Sequence, residues 1–229
     1  MLAPNPVNAA NGNFLEKVHK RADGSESKYV VFMPAAYKTD GEPFPVILFL
    51  HGMGESGTDG IAQATVGIGP AITRSKKPFP FIVIMPQSPK RSWMADSPDG
   101  QTAIAILDEV GKEYKLDPNR TYLSGLSMGG YGTWSLAVKY SDKWAAIAPV
   151  CGGGDPKQAE KIKHIPCWIF HGDKDTAVNV EKSREMVAAL KAAGGNPKYD
   201  EYPGVGHNSW DKAYATKELY SWLLQQSLK

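Results

Sequence analysis

Cysteine is nearly absent: the 229 residues hold two, Cys151 and Cys167. A small fold stapled by disulfides is therefore excluded, because such scaffolds are short and cysteine-dense. The two positions fall at the end of one strand-like run and the start of the next, so the expectation is two small buried thiols. Neither has metal-ligand spacing and no zinc or calcium motif occurs, so no metal and no cofactor is expected. Long apolar runs are missing as well. Runs such as Val46 to Leu50 are far short of the roughly 20 residues a membrane-spanning helix needs. Met1 to Asn13 lacks both the basic start and the apolar core of a secretory signal. LAPNPVNAANGN instead reads as the polar leader of a mature or trimmed chain, which leaves a secreted, periplasmic or cytoplasmic location open. Nor is there an excess of charge of either sign. Lys and Arg number 26 against 24 Asp and Glu, a formal net charge of +2, and they are spread along the chain. No electrostatic footprint for nucleic acid or an acidic membrane results.

What is present is an ordinary globular composition, 42% hydrophobic and 22% charged, long enough for a substantial core. Apolar strand-like runs alternate with longer amphipathic ones, the pattern of an α/β fold with a mostly parallel sheet. Phe14 to His19 and Lys28 to Met33 form an opening pair of strands around the turn-rich RADGSES. Pro45 to Leu50, Phe81 to Met85, Thr121 to Ser124, Ala145 to Val150 and Cys167 to Phe170 follow. The continuous apolar character of PVILFL is that of a strand covered on both faces. Helical periodicity marks Asp99 to Tyr114, Met128 to Tyr140 and Val180 to Ala193, the last stopped by Gly194-Gly195. A strand over Lys198 to Tyr202 and a helix over Lys212 to Leu224 close the chain. With no repeat, low-complexity tract or long linker, residues 1–229 read as a single domain, with a monomer favoured. Only Cys151 to Ile165 separate two successive strands. That length allows one or two short helices, so a minimal cap and an open site are expected.

The chemistry concentrates in YLSGLSMGGYG, Tyr122 to Gly132. Gly125-Leu126-Ser127-Met128-Gly129 is a G-x-S-x-G pentapeptide between a strand and a helix, which exposes a serine hydroxyl on a sharp, strained turn. The pentapeptide alone is a weak signal. A serine nucleophile also needs a base, a carboxylate to orient that base, and amides to hold an oxyanion. In open-sheet hydrolases the chain order is serine, acid, histidine. The loop HGDKDTAV follows a downstream strand and offers two acids, Asp173 and Asp175. Asp175 is favoured, because Asp173 directly follows His171-Gly172 and suits the turn itself. His207, in the Gly-rich YPGVGHNSW after the final strand, takes the last place. Of the other histidines, His19 comes too early and His164 sits on a lysine-flanked segment. His51 and His171 each precede Gly at a strand end, where an inward-facing structural histidine is expected. The oxyanion amides are assigned to Met128, next to the serine, and to Met53, after the strand PVILFL. The Met53 side chain is free to line an acyl pocket.

The same loop carries a rival motif. Gly52-Met53-Gly54-Glu55-Ser56-Gly57 matches G-x-G-x-x-G, the dinucleotide fingerprint. Against it, the preceding strand is not the first of the fold, the next strand ends in Pro86-Gln87 without an acid for a ribose, and His51 suits an oxyanion loop. Trp93, Tyr131 and Trp210 lie near the site loops as candidate substrate contacts, with Gln87 as a polar one.

Taken together, PVILFLHGMGESGTDG, DPNRTYLSGLSMGGYGTW, HGDKDTAV and GHNSW resemble the α/β-hydrolase superfamily. The nearest likeness within it is to small bacterial esterases of the phospholipase/carboxylesterase-like kind, which grade into feruloyl esterases and polyhydroxybutyrate depolymerases. The resemblance covers nearly the whole chain. One departure is Val178-Asn179, where many relatives carry Val-Pro, and the elbow lacks the cysteine of dienelactone hydrolases. The resemblance implies a serine carboxylesterase acting on short acyl or phenolic esters, small or polymer-linked. A peptidase or acyl-protein thioesterase using the same residues is the alternative within the class. A non-catalytic protein gripping a carbohydrate or phenolic ligand is the alternative outside it.

Overall fold

The computed structural model describes residues 11–21 and 23–228. The leader read over 2–13 therefore lies mostly outside the described residues. Among the described residues, eight strands form one sheet: β1 (Gly12–Lys20), β2 (Glu26–Pro34), β3 (Phe44–Leu50), β4 (Ile82–Pro86), β5 (Leu116–Leu126), β6 (Ala146–Val150), β7 (Trp168–Gly172) and β8 (Lys198–Tyr202). Their spatial order is β1-β2-β4-β3-β5-β6-β7-β8. The opening hairpin pairs antiparallel, β2 pairs antiparallel with β4, and every other neighbour is parallel. This is the mostly parallel α/β sheet that the alternating pattern implies.

The helices cover both faces because each central strand is apolar on both. Along β3, Val46, Leu48 and Leu50 join one buried cluster while Ile47 and Phe49 join the other, as the two-residue period of a strand requires. The first cluster is closed by α2 (Pro98–Glu113), α3 (Met128–Lys139), the one-turn α4 (Ala159–Ile162) and α5 (Glu181–Ala192). The second is closed by α1 (Ile68–Arg74), α6 (Trp210–Ala215) and α7 (Lys217–Leu224). Ser97 caps α2 by accepting a hydrogen bond from the Gly100 amide, with Pro98 at the first helical position, a strong start signal.

Two elements depart from the sequence expectation. Helix α1 has seven residues, contains Pro70, and is too short to display a helical period. The closing helix is two: Thr216 turns extended, with ψ 104, and separates α6 from α7. Between β6 and β7 stand only a 3-10 turn (Pro156–Gln158) and α4. Ala159 and Ile162 pack with Met186 and Leu190 of α5 on the flank of the sheet, so this crossover adds only a minimal cap. Cys151 and Cys167 are free and buried.

Candidate active site

The six parallel strands β3 to β8 point their C-terminal ends at one edge, where ligand sites of open α/β sheets gather. Ser127 stands there between β5 and α3 with φ 53 and ψ −116, a conformation that L residues rarely adopt. Its amide donates to the Val150 carbonyl at 3.0 Å, which helps to hold the turn. The flanking glycines are sterically required. A Cβ on Gly125 would stand 2.4 Å from the Gly129 carbonyl oxygen, and one on Gly129 would stand 1.9 Å from that of Leu50. The helix can approach β3 and β5 so closely only without those side chains.

Two later loops bring their polar groups to this serine. His207 Nε2 lies 2.8 Å from Ser127 Oγ, and His207 Nδ1 lies 2.7 Å from Asp175 Oδ2. These partners define the tautomer: Nδ1–H donates to the carboxylate, leaving Nε2 to accept from the serine hydroxyl. Asp175 Oδ1 accepts from the amides of Ala177 and Val178 at 2.9 and 2.8 Å. Burial works against ionisation of Asp175, but the hydrogen bonds from His207, Val178 and Ala177 prevail and hold its carboxyl below the usual range. Asp173 is otherwise engaged. Its Oδ1 accepts from the Gly204 amide at 2.6 Å and ties the β7 loop to the β8 loop.

The oxyanion candidates lie at the start of helical turns. Met128 is the first residue of α3, and Met53 the first of a 3-10 turn, Met53–Glu55. Amides at such positions have no partner within their own helix. Gly52 backs directly onto the serine, since a Cβ there would stand 3.7 Å from Ser127 Cβ. The three-residue turn is also not the long helix whose N-terminus cradles a pyrophosphate, so the G-x-G-x-x-G match is not a dinucleotide loop.

Comparison with known proteins identifies the family and the fold. Residues 21–221 match the model of the Esterase family. The chain belongs to that family. It is 30% identical over 168 residues to a bifunctional acetylxylan esterase/xylanase of Neocallimastix patriciarum, covering 72% of this chain. The chain spans about a quarter of that relative's length, 24%. It is 26% identical over 205 residues to carboxylesterase SOBER1 of Arabidopsis thaliana, across 77% of this chain and 88% of that one. A solved thermostable esterase superposes with a TM-score of 0.82 at 34% identity, over 93% of this chain and 63% of that one. The α/β-hydrolase fold that the motifs imply is thus shared with solved esterases.

Within this esterase-family framework, the four expected substrate contacts divide. Tyr131 and Trp210 are partly exposed at the site. Trp210 stands edge-on to His207, ring centroids 5.3 Å apart, and so packs the imidazole from the side. Trp93 and Gln87 are not substrate contacts in this structure. Trp93 is 1% exposed, packs edge-on against His51, and donates its indole N–H to the His51 carbonyl at 3.0 Å. Gln87 is also buried. Its amide group binds the Gly60 amide, the Glu55 carbonyl and the Asp59 carboxylate at 2.7, 3.0 and 3.2 Å. Both residues fasten the loop after β3 instead.

His51 is a buried structural histidine, as expected. Its Nε2 accepts from the Ser88 amide at 3.0 Å while Nδ1 donates to the Gly52 carbonyl at 2.5 Å. Burial pushes its pKa down to about 4, against the opposing pull of that carbonyl. His171 is buried too, but it reaches the site. Its Nε2 lies 3.1 Å from Asp175 Oδ2 and 2.9 Å from the Val178 carbonyl, and its Nδ1 lies 2.7 Å from Ser183 Oγ. The spacing His171-x-x-x-Asp175 was the available signal, though a loop reveals nothing of ring direction. Cys151 Sγ lies within 4.8 Å of a carboxylate oxygen of Asp175 and a ring nitrogen of His207, on a residue in the left-handed region at φ 39. Its thiol is pushed up to about 12, chiefly by burial, and is therefore neutral at ordinary pH.

Proposed function

We propose that this chain is a serine carboxylesterase that hydrolyses short-chain acyl or phenolic esters through an acyl-enzyme on Ser127. The supporting observation is His207, hydrogen-bonded at one nitrogen to Ser127 and at the other to Asp175. In this reading His207 Nε2 takes the hydroxyl proton as Ser127 Oγ attacks the ester carbonyl. Asp175 orients the imidazole and stabilises the imidazolium that forms. The oxyanion rests on the amides of Met53 and Met128. The alcohol leaves with the proton from His207. Water, deprotonated by the same nitrogen, then attacks the acyl-enzyme and releases the carboxylic acid and free Ser127.

The short crossover supports an open cleft over a long acyl tunnel, hence short or polymer-displayed esters. The relative named an acetylxylan esterase/xylanase is in keeping with an acyl group carried on a polymer. The reading has the single domain act as a monomer, with no cofactor and no nucleic acid. The experiment is hydrolysis of p-nitrophenyl acetate by the wild type and by Ser127→Ala. The expected loss in kcat is at least about 10⁴-fold; full activity in the variant would refute the assignment.

A further inference from the structure

Among the described residues, metal-ligating side chains converge in threes at one place, Cys151, Asp175 and His207. One atom from each, the Cys151 sulfur, a carboxylate oxygen and a ring nitrogen, lies within 4.8 Å of the other two. They follow β6, β7 and β8 in turn, so no spacing in the sequence reveals them. Tetrahedral coordination at about 2.0 to 2.3 Å separates ligand atoms by about 3.3 to 3.7 Å. The trio therefore needs to shift by about 1 Å at most to hold a small cation. A second observation singles out the same cluster. Ser209, just past His207, is fully buried, and its hydroxyl has no hydrogen-bond partner. Burial holds the Cys151 thiol protonated, while the Ser127 amide and the Ser209 hydroxyl beside it pull the other way. A thiolate accepts hydrogen bonds far better than a thiol. The orphaned O–H thus gains a partner when Cys151 loses its proton.

We propose that Cys151, Asp175 and His207 form a binding site for a thiophilic divalent cation, zinc or cadmium, which switches the esterase off. The binding stands on this geometry, and the inhibition rests on the serine-esterase reading. The cation forms a bond to the Cys151 sulfur and sends its proton to solvent. The thiolate and the Asp175 carboxylate together neutralise its charge. The third ligand is a neutral imidazole nitrogen, and water from the cleft completes the tetrahedron. Bound at His207 Nδ1, the metal leaves the ring proton on Nε2, which then donates to Ser127 instead of accepting. Bound at Nε2, it occupies the base itself. Either way Ser127 loses its proton acceptor. Access runs past His207, whose side chain is 27% exposed while that of Asp175 is wholly covered. A Cβ on either preceding glycine, Gly204 or Gly206, would meet nothing closer than 3.8 Å, so the loop has room to swing the imidazole aside. Sulfur and imidazole select soft and borderline ions over magnesium and calcium, which seek oxygen.

The test titrates cadmium into the protein and reads the ultraviolet charge-transfer band of a cadmium–thiolate bond. One equivalent should produce the band in the wild type. Cys151→Ala and Cys151→Ser should lose it, and Cys167→Ala should keep it. His207→Ala should need at least about tenfold more cadmium. Circular dichroism checks that each variant is folded. Turnover of p-nitrophenyl acetate by the wild type should fall at least about 10²-fold in saturating zinc or cadmium, the scale of a lost general base. A chelator should restore it, and magnesium or calcium should leave it unchanged. Cys151→Ser should keep its own metal-free rate at zinc concentrations that silence the wild type. A band absent from the wild type, or unchanged in both Cys151 variants, would overturn the site. A cadmium-bound wild type with undiminished turnover would overturn the switch. A wild type inert before any metal is added would refute the esterase reading, with the band still deciding the site.

Discussion

His171 Nε2 stands 3.1 Å from Asp175 Oδ2, the same oxygen that His207 Nδ1 reaches at 2.7 Å. The carboxylate is thus held from both sides, with its other oxygen on two backbone amides. Each of these bonds narrows the directions in which Asp175 can present Oδ2 to the imidazole. His171 is accordingly a positioning residue. His171→Ala should lower kcat about 10-fold, within the range for residues that orient a neighbouring catalytic group, while leaving KM within about twofold. Steady-state kinetics with circular dichroism on the same sample checks this. Equal loss in kcat and in folded signal would make His171 merely structural.

Asp173 and Asp175 should separate cleanly on substitution. Asp175→Asn removes the acceptor that sets the His207 tautomer and should cost about 10⁴-fold in kcat. Asp173→Ala removes one bond to the Gly204 amide and should cost about 1 kcal/mol of stability, with kcat changed less than about threefold. Urea unfolding and p-nitrophenyl acetate turnover on both variants decide the matter.

In the proposed mechanism the oxyanion role of Met53 falls to its backbone N–H, so alanine is the wrong probe. Gly52 is extended, with φ −79 and ψ −176, the conformation proline demands of its predecessor, and the first residue of a helical turn tolerates proline. Met53→Pro should therefore fold, lose the amide donor, and lower kcat by about 10²- to 10³-fold. Met53→Ala, which keeps the amide, should retain kcat within about threefold. Equal activity of the two variants would remove Met53 from the oxyanion hole.

Acid stability should reflect His51. Its pKa is pushed down to about 4 in the fold by burial, against about 6.5 in an unfolded chain. Between these values the unfolded state binds the extra proton, so stability falls as the pH drops from about 6.5 to 4. The loss at the lower end is on the order of 3 kcal/mol. Asp175 acts in a different window. Its carboxyl is held below the usual range, so its contribution is in place above about pH 4 and is lost only as the pH falls through its lower folded value. Urea unfolding at a series of pH values should show the slope between pH 6.5 and 4, flattened in His51→Asn.

Much of this site was legible in the sequence because its chemistry sits where strands end. Ser127, Asp175 and His207 follow β5, β7 and β8 in chain order, and strands built from runs such as VILFL are hard to mistake. Helix α1 escaped notice since its seven residues and internal Pro70 show no period. Trp93 and Gln87 turn inward for another reason. Their positions after β4 were right, but whether a loop side chain faces solvent or its neighbours depends on partners distant in sequence. For Trp93 the partner is the His51 carbonyl, and for Gln87 it is the turn from Glu55 to Gly60. His171 shows the same limit in reverse. Its burial follows from its place at a strand end, yet its contact with Asp175 depends on how the loop closes.

The most direct test of the account is covalent labelling with a fluorophosphonate, read by mass spectrometry of tryptic peptides. The account predicts one phosphonyl adduct, on the Ser127 hydroxyl in the peptide spanning 121–139, formed rapidly by the wild type and at least about 10³-fold more slowly by His207→Ala. An unlabelled wild-type protein, or an adduct on a residue other than Ser127, would contradict it.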